Sequence, residues 1–260
     1  MPTLSVDGVP LHYRDEGQGL PVLLFHAYSL NADAFLPQVK ALSHRYRFLL
    51  PDAPGHGSSG LGEGPTEMSR IARNGLALLD ALGLDSVVVG GVSMGGYAGM
   101  AFLRENAGRV RGLVLVDTLP QADDAAGHTR RENLAQDVLR EGHDAVLRTL
   151  LPRLVAAGPD SAVGREVAAL IRAARPEGIA AAQRGMALRS DSRDLLARYA
   201  GPSLAVVGDK DALTTPDEVR QMADLISGAH LEVIPDAAHL PNQEQPERFN
   251  AALDRFLSGL

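Results

Sequence analysis

The sequence predicts an α/β fold: a mostly parallel sheet with helices on both faces and an inserted helical cap. Three observations carry this reading. Short continuous apolar runs alternate with helix-period stripes over residues 1–119, as expected of strands buried on both faces and joined by crossover helices. The stretch 120–194 is rich in Ala, Leu and Arg and contains no strand-like run. The strand and helix rhythm then resumes over 195–260. The chain therefore divides into a first core part (1–119), a helical cap (120–194) and a second core part (195–260).

The elements follow in order. Leu4–Val6 and Leu11–Tyr13 flank Asp7-Gly8, a hairpin turn signal. Val22–Phe25 and Phe48–Leu50 are short buried strands. Met68, Ile71, Gly75, Leu78, Leu79 and Leu82 form a helical stripe that Gly83 ends as a left-handed cap. Val87–Val89 is a strand, 97–106 a helix and Val110–Val116 a strand. In the cap, Gly142, Pro152, Gly158-Pro159 and Pro176 break the chain into short helices. Beyond it come a strand at 203–207, a helix at 216–226, a strand at 231–234 and a last helix from about 243 to 257. Such alternation requires right-handed crossovers between parallel strands.

Composition narrows the function classes. A net charge of −7, only two lysines and 4% aromatic residues leave neither a basic groove nor stacking platforms, so nucleic acid is not an expected partner. With no cysteine there is no disulfide or thiolate metal site. The eight histidines are scattered, and neither a metal nor an organic cofactor is expected. The first residues lack a signal-peptide pattern, and the long apolar stretch 87–103 is interrupted by glycines and short for a bilayer. A cytoplasmic protein that does not enter the membrane is the expectation; monomer and homodimer remain open.

The strongest motif is Gly91-Val92-Ser93-Met94-Gly95, which fits G-x-S-x-G directly after a strand and at the start of a helix. That setting presents a serine on a tight, strained turn, with small neighbours that let chain segments pass. The positive helix end also favours an oxyanion there. A serine hydroxyl needs a base. His239 fits, lying on a loop between a strand and the last helix, at the carboxyl edge where α/β sheets gather their sites. His12, His44, His128, His143 and His230 stand in ordinary polar contexts and are expected to be solvated. His56, in a Gly-rich loop, reads as a hydrogen-bonded turn residue. The acid that would orient the base lies in Gly208–Pro216, which offers Asp209 and Asp211; Asp236 is a weaker third choice, being so near His239. A capping box at Thr215–Glu218, with Pro216 at the first helical position, closes that loop.

Together Phe25–Tyr28, Asp52–Ser59, Gly91–Gly95, Gly208–Pro216 and His239 resemble the α/β-hydrolase superfamily over nearly the whole chain. The tail from Ala238 to Asn250 is similar to that of 3-oxoadipate enol-lactonases and related capped carboxylesterases. The resemblance implies an α/β-hydrolase fold and a Ser93–Asp211–His239 triad, since the family acid loop reads Gly-x-x-Asp. It also implies an oxyanion hole made by the backbone N–H groups of Tyr28 and Met94. Ala27 stands where the family usually has glycine, so the loop before Tyr28 is expected to differ. Ser29, in place of the proline of perhydrolase-like members, argues against peroxyacid chemistry. Dehalogenases and epoxide hydrolases of this fold use an aspartate nucleophile, so Ser93 argues against both.

The expected function is hydrolysis of a small-molecule ester or lactone through an acyl-enzyme. Carbon–carbon bond hydrolysis, acyl transfer and non-catalytic binding are the alternatives. The cap carries eleven arginines but also eleven acidic residues, so most of its arginines are expected on solvated faces. Leu150, Leu151, Leu154, Val155 and Met186 are expected in the core rather than in a pocket.

Overall fold

A computed structural model describes residues 2–260. Its eight strands are β1 (Thr3–Val6), β2 (Val9–Gly17), β3 (Leu20–Phe25), β4 (Tyr46–Pro51), β5 (Val87–Val92), β6 (Val110–Val116), β7 (Ser203–Gly208) and β8 (His230–Ile234). They form one sheet in the order β1-β2-β4-β3-β5-β6-β7-β8. The pairs β1/β2 and β2/β4 are antiparallel, and every other neighbouring pair is parallel. Asp7 and Gly8 both have positive φ (51° and 77°), the backbone a tight two-residue hairpin between right-twisted strands demands. Every residue of β5 and of β7 is buried. Burying each valine of Val87–Val89 stabilises the fold by about 1.5–3 kcal/mol, and this explains why these runs are apolar throughout rather than alternating.

Helices cover both faces of the sheet. Helix α1 (Leu36–Leu42) precedes β4, α2 (Met68–Ala81) precedes β5, and α3 (Met94–Asn106) joins β5 to β6. The buried stripe of α2 is Met68, Ile71, Ala72, Gly75, Leu78 and Leu79, the spacing seen in the sequence. Between β6 and β7 the chain forms α4 (Ala125–Glu141), α5 (His143–Thr149), α6 (Leu151–Leu154), α7 (Ala162–Arg172), α8 (Pro176–Ala187) and α9 (Arg193–Arg198). After β7 come α10 (Pro216–Asp224), α11 (Pro241–Glu244) and α12 (Pro246–Leu257). None of the described helices is long and apolar enough to cross a membrane.

Several boundaries differ from the sequence reading. The breaks read at Pro152 and Pro176 fall at the starts of α6 and α8, where the missing N–H costs nothing. The helical stretch continues through α9 past Asp194. The last helix is divided at Gln245 (φ −132°, ψ 59°), because Pro246 disfavours helical geometry in the residue before it. The capping box at Thr215 and Glu218 forms as read.

Because β3 to β8 run parallel, the loops after β3, β5, β6, β7 and β8 emerge at one edge of the sheet. That edge receives 26–31, Ser93, Asp117, 209–214 and 235–240 from five separate strand ends.

Candidate active site

Ser93 lies between β5 and α3 with φ 54° and ψ −112°, a conformation that costs a non-glycine residue of order 1–3 kcal/mol. The surrounding chain holds it there. The Ser93 N–H donates to the Val116 carbonyl at 2.8 Å, and the Thr118 hydroxyl donates to the Ser93 carbonyl at 2.9 Å. A Cβ on Gly91 or Gly95 would run into the carbonyl oxygen of Phe25, and one on Gly96 into the Thr118 side chain. The small residues around Ser93 thus follow from three segments crossing at backbone contact.

His239 is 5% exposed and its Nδ1 lies 2.7 Å from Asp211 Oδ2. The other Asp211 oxygen accepts from the N–H groups of Leu213 (2.7 Å) and Thr214 (3.2 Å). Burial alone would raise the Asp211 carboxyl, but the hydrogen bond to His239, its charge and the Asp117 and Leu213 hydrogen bonds bring it below the usual carboxylate value. Of the three acids weighed from sequence, only Asp211 meets His239. Asp209 is exposed, and Asp236 turns outward to Lys210, at 2.6 Å.

Asp117, at the end of β6 with φ 44°, is a residue the sequence reading passed over. It is fully buried, and one oxygen accepts from Gly208 N–H at 3.1 Å while the other has no donor. The carboxyls of Asp117 and Asp211 and the His239 ring have ligand atoms all within 4.8 Å of one another. Burial first, and then the charge of Asp211, push Asp117 well above the usual carboxylate value. Both influences favour its uncharged form beside the Asp211 carboxylate. Among the described residues this is the cluster with metal-ligand reach, but within it His239 Nδ1 and Asp211 Oδ2 are already engaged with each other. Only its position at a strand end could have drawn attention to Asp117 beforehand.

The loop after β3 carries Tyr28. Neither the Tyr28 N–H nor the Met94 N–H has an acceptor among the described residues. Ala27 is not among the residues with positive φ; Ser29 is, at 61°. Alanine therefore fits without strain; the positive φ of this loop falls at Ser29, whose hydroxyl donates to the Tyr28 carbonyl at 2.7 Å. Asp52 braces this loop from below. It accepts from Ala32 N–H (2.8 Å) and Ser58 N–H (3.0 Å) and pairs with His12 Nδ1 at 2.6 Å. His12 is thus buried, not solvated as its polar neighbours predicted, because β2 brings it against β4. His143 is half-buried, 2.7 Å from the Ala174 carbonyl, while His44, His128 and His230 are exposed.

His26 and His56 sit under the same loop with ring centres 5.3 Å apart. His26 Nδ1 donates to Ala27 O at 2.8 Å and its Nε2 accepts from Ala53 N–H at 2.9 Å. His56 Nδ1 donates to Pro54 O at 3.0 Å. Both support loop backbone, as read for His56. Burial lowers His26 to about 4, and burial with the nearby His26 charge lowers His56 to about 3. Their ordinary value is 6.5, so below it the unfolded chain takes up protons that the folded chain refuses. Their contribution to stability is complete above that value and drains as pH falls, by about 1.4 kcal/mol per pH unit for each ring. Urea unfolding at pH 7, 6 and 5 should therefore show stability falling at roughly 2–3 kcal/mol per unit near pH 5. A flat profile would mean that the rings accept protons inside the fold.

Ser93 and His239 open onto one cavity of about 170 Å³. Its opposite wall comes from the helices between β6 and β7: Arg131 of α4, Leu150, Leu154 of α6, and Gln183 and Met186 of α8. Leu154 and Met186 are buried as expected of core residues, yet they also line the cavity, which corrects the either-or reading. Leu151 and Val155 are buried and do not line it. Arg140, Arg148 and Arg193 make exposed ion pairs, as the charge balance implied, whereas Arg131 turns inward. Glu244 is a second residue missed in the sequence. Half-buried, it accepts from Ala238 N–H (2.7 Å) and from Ala156 N–H (2.6 Å), and so ties the His239 loop to the α6–α7 connection.

Comparisons with known proteins agree with this architecture. The chain is 27% identical over 259 residues to 3-oxoadipate enol-lactonase 2 of Acinetobacter baylyi, covering 98% of this chain and 96% of the relative. It is 32% identical over 268 residues to haloalkane dehalogenase 2 of Mycobacterium tuberculosis, covering 95% and 91%. A thermophilic esterase from Thermogutta terrifontis, solved with malate bound, superposes with a TM-score of 0.94 at 37% identity, over 99% of this chain and 96% of that one. Residues 21–246 match the family model for the alpha/beta hydrolase fold. With the elbow, the parallel sheet and that match over most of its length, the chain belongs to the α/β-hydrolase fold family.

Proposed function

We propose that the protein hydrolyses small carboxylic esters or lactones through an acyl-enzyme on Ser93. The observation that carries this reading is the meeting of Ser93 and an Asp211-bound His239 in a single cavity. With its Nδ1 proton held by Asp211, His239 presents Nε2 as the base. Nε2 takes the Ser93 proton as Oγ bonds to the substrate carbonyl carbon, and the carbonyl electron pair moves onto oxygen. The backbone N–H groups of Tyr28 and Met94 receive that oxyanion. When the intermediate collapses, the bond to the alcohol oxygen breaks and that oxygen takes the proton from Nε2. A water then repeats the sequence on the acyl carbon, releasing the acid and restoring Ser93.

The helical segment 120–194 acts in this reading as a cap whose inner side sets substrate size. The cavity is smaller than the roughly 300–1,000 Å³ of common ligand pockets, which favours short acyl groups. The enol-lactonase and esterase relatives support ester or lactone chemistry. A serine at the elbow favours acyl transfer over carbon–halogen displacement, despite the dehalogenase relative. Labelling of the purified protein by a fluorophosphonate, with turnover of members of an ester and lactone panel, tests the proposal. Failure to label, with no ester turned over, would leave the fold without this activity.

A further inference from the structure

We propose that Tyr97 sets how long an acyl chain the catalytic cavity accepts, its ring being the partition between that cavity and a second hollow beside α3. This rests on the hydrolase reading above and adds the residue that decides acyl length. The second hollow, of about 100 Å³, lies between the start of α2, α3 and the connection from α8 to α9. Tyr97 is the one residue that lines both this hollow and the cavity of Ser93 and His239. Helix α3 carries it one turn beyond the elbow. Its N–H donates to the Ser93 carbonyl at 3.3 Å, and a spacing of four residues puts positions 93 and 97 on one side of the helix. Arg189 clamps the ring from the second hollow, with its guanidinium carbon 4.4 Å from the ring centre, a contact the negative face of the ring favours. Arg189 is itself anchored at three points: Nε donates to Gln121 O (2.9 Å), Nη1 donates to Met186 O (3.0 Å), and Asp123 pairs with it at 2.8 Å. A fixed cation therefore holds the ring in place across the route between the two hollows.

Past the ring the floor is apolar. Met68 and Met100, 4% and 2% exposed, line it with Ala101 and Leu119, while the charged side chains at its rim, Glu67, Arg104 and Glu105, are exposed. An aliphatic chain is what such a floor would receive. Which part of the substrate faces Tyr97 follows from the proton path. In the proposed mechanism the departing alcohol oxygen takes its proton from His239 Nε2. The alcohol therefore lies at the His239 end, beside Leu213 and Thr214, whose N–H groups hold Asp211. The acyl chain is left with the other end of the cavity, where Tyr97 stands with Gln183 and Met186 of α8. There the ring stops a growing chain. Cutting the ring back joins the two hollows, and each added methylene then meets apolar surface in place of a wall.

The test is the ratio of kcat/KM for p-nitrophenyl octanoate to that for p-nitrophenyl butyrate. The unmutated enzyme is expected to prefer the butyrate. Tyr97→Ala should raise the octanoate-to-butyrate ratio by roughly ten- to hundredfold, whereas Tyr97→Phe, which keeps the ring, should leave the ratio where it is. Arg189→Lys, which takes the planar group off the ring, should shift it the same way by less. The ratio of octyl acetate to butyl acetate, followed in a pH-stat, should not respond to Tyr97→Ala, because there the long chain is the alcohol. An octanoate-to-butyrate ratio unchanged in Tyr97→Ala, or a shift confined to the acetates, overturns this inference and leaves the hydrolase reading standing. So does an unmutated enzyme that takes octanoate as readily as butyrate. If no ester of either series is turned over, the hydrolase reading fails and this inference falls with it. Circular dichroism checks the folding of each variant; should Tyr97→Ala not fold, Tyr97→Leu makes the same comparison and the same outcomes decide.

Discussion

Ser93→Ala is expected to leave a folded protein whose ester turnover has fallen by roughly a million-fold, the loss seen when a triad nucleophile is removed. The alanine keeps the Cβ and the positive φ of 54°, and no hydrogen bond of the Ser93 hydroxyl holds the elbow together. The bonds that do, from Ser93 N–H to Val116 and from Thr118 to the Ser93 carbonyl, are made by backbone groups of residue 93 and survive the change. Ser93→Gly should be equally inactive yet more stable by about 1 kcal/mol, because glycine accepts this backbone conformation without strain. Turnover of a p-nitrophenyl ester and urea unfolding of the three proteins make the comparison. Near-normal turnover in the alanine variant would remove Ser93 from the mechanism.

Asp211→Asn should lower turnover by about four orders of magnitude, whereas Asp209→Asn should change it little. The reason is directional. The N–H groups of Leu213 and Thr214 fix which side of residue 211 must accept, so an asparagine there would turn its NH2 toward His239 Nδ1. The ring would then carry its proton on Nε2, the atom that takes the Ser93 proton in the proposed mechanism. Asp209 has an exposed side chain and holds the loop through its N–H, which donates to Ile234 O at 2.9 Å; substitution leaves that bond intact. Circular dichroism of both variants separates folding from rate. If the Asp209 variant were the silent one, the acid would be Asp209 and the Gly-x-x-Asp alignment of the loop would be wrong.

The middle of the sheet was legible because its central strands are buried on both faces, so Val22–Phe25, Phe48–Leu50 and Val110–Val116 are apolar at every position or nearly so. Ser93 was legible because steric crowding at Phe25 and Thr118 writes glycines into the sequence on both sides. Asp211 became distinct from Asp209 only through family resemblance, because a two-residue offset in a loop decides which side chain points inward. Other features left no local trace. His12 lies in an ordinary polar context, and its burial depends on Asp52, forty residues away. Asp117 reads as a residue ending a strand until β7 and β8 bring Asp211 and His239 to it. The inward turn of Arg131 depends on how α4 meets α8, which no charge count over 120–194 could separate from the outward turn of Arg140.

The Glu244 carboxylate, hydrogen-bonded at once to Ala238 and Ala156, has a mechanical consequence. Two backbone segments gripped by one short side chain cannot shift separately, so their positions amount to one degree of freedom. Any tilt of the α6–α7 connection is passed to Ala238 and so to the next residue, His239. Widening the cavity on that side therefore displaces the imidazole as well, and under the proposed mechanism a lifted helical segment would also be a disarmed one. Engineering that loosens the α6–α7 connection to admit larger molecules has to re-anchor the His239 loop by some other contact, or it will gain access and lose rate together.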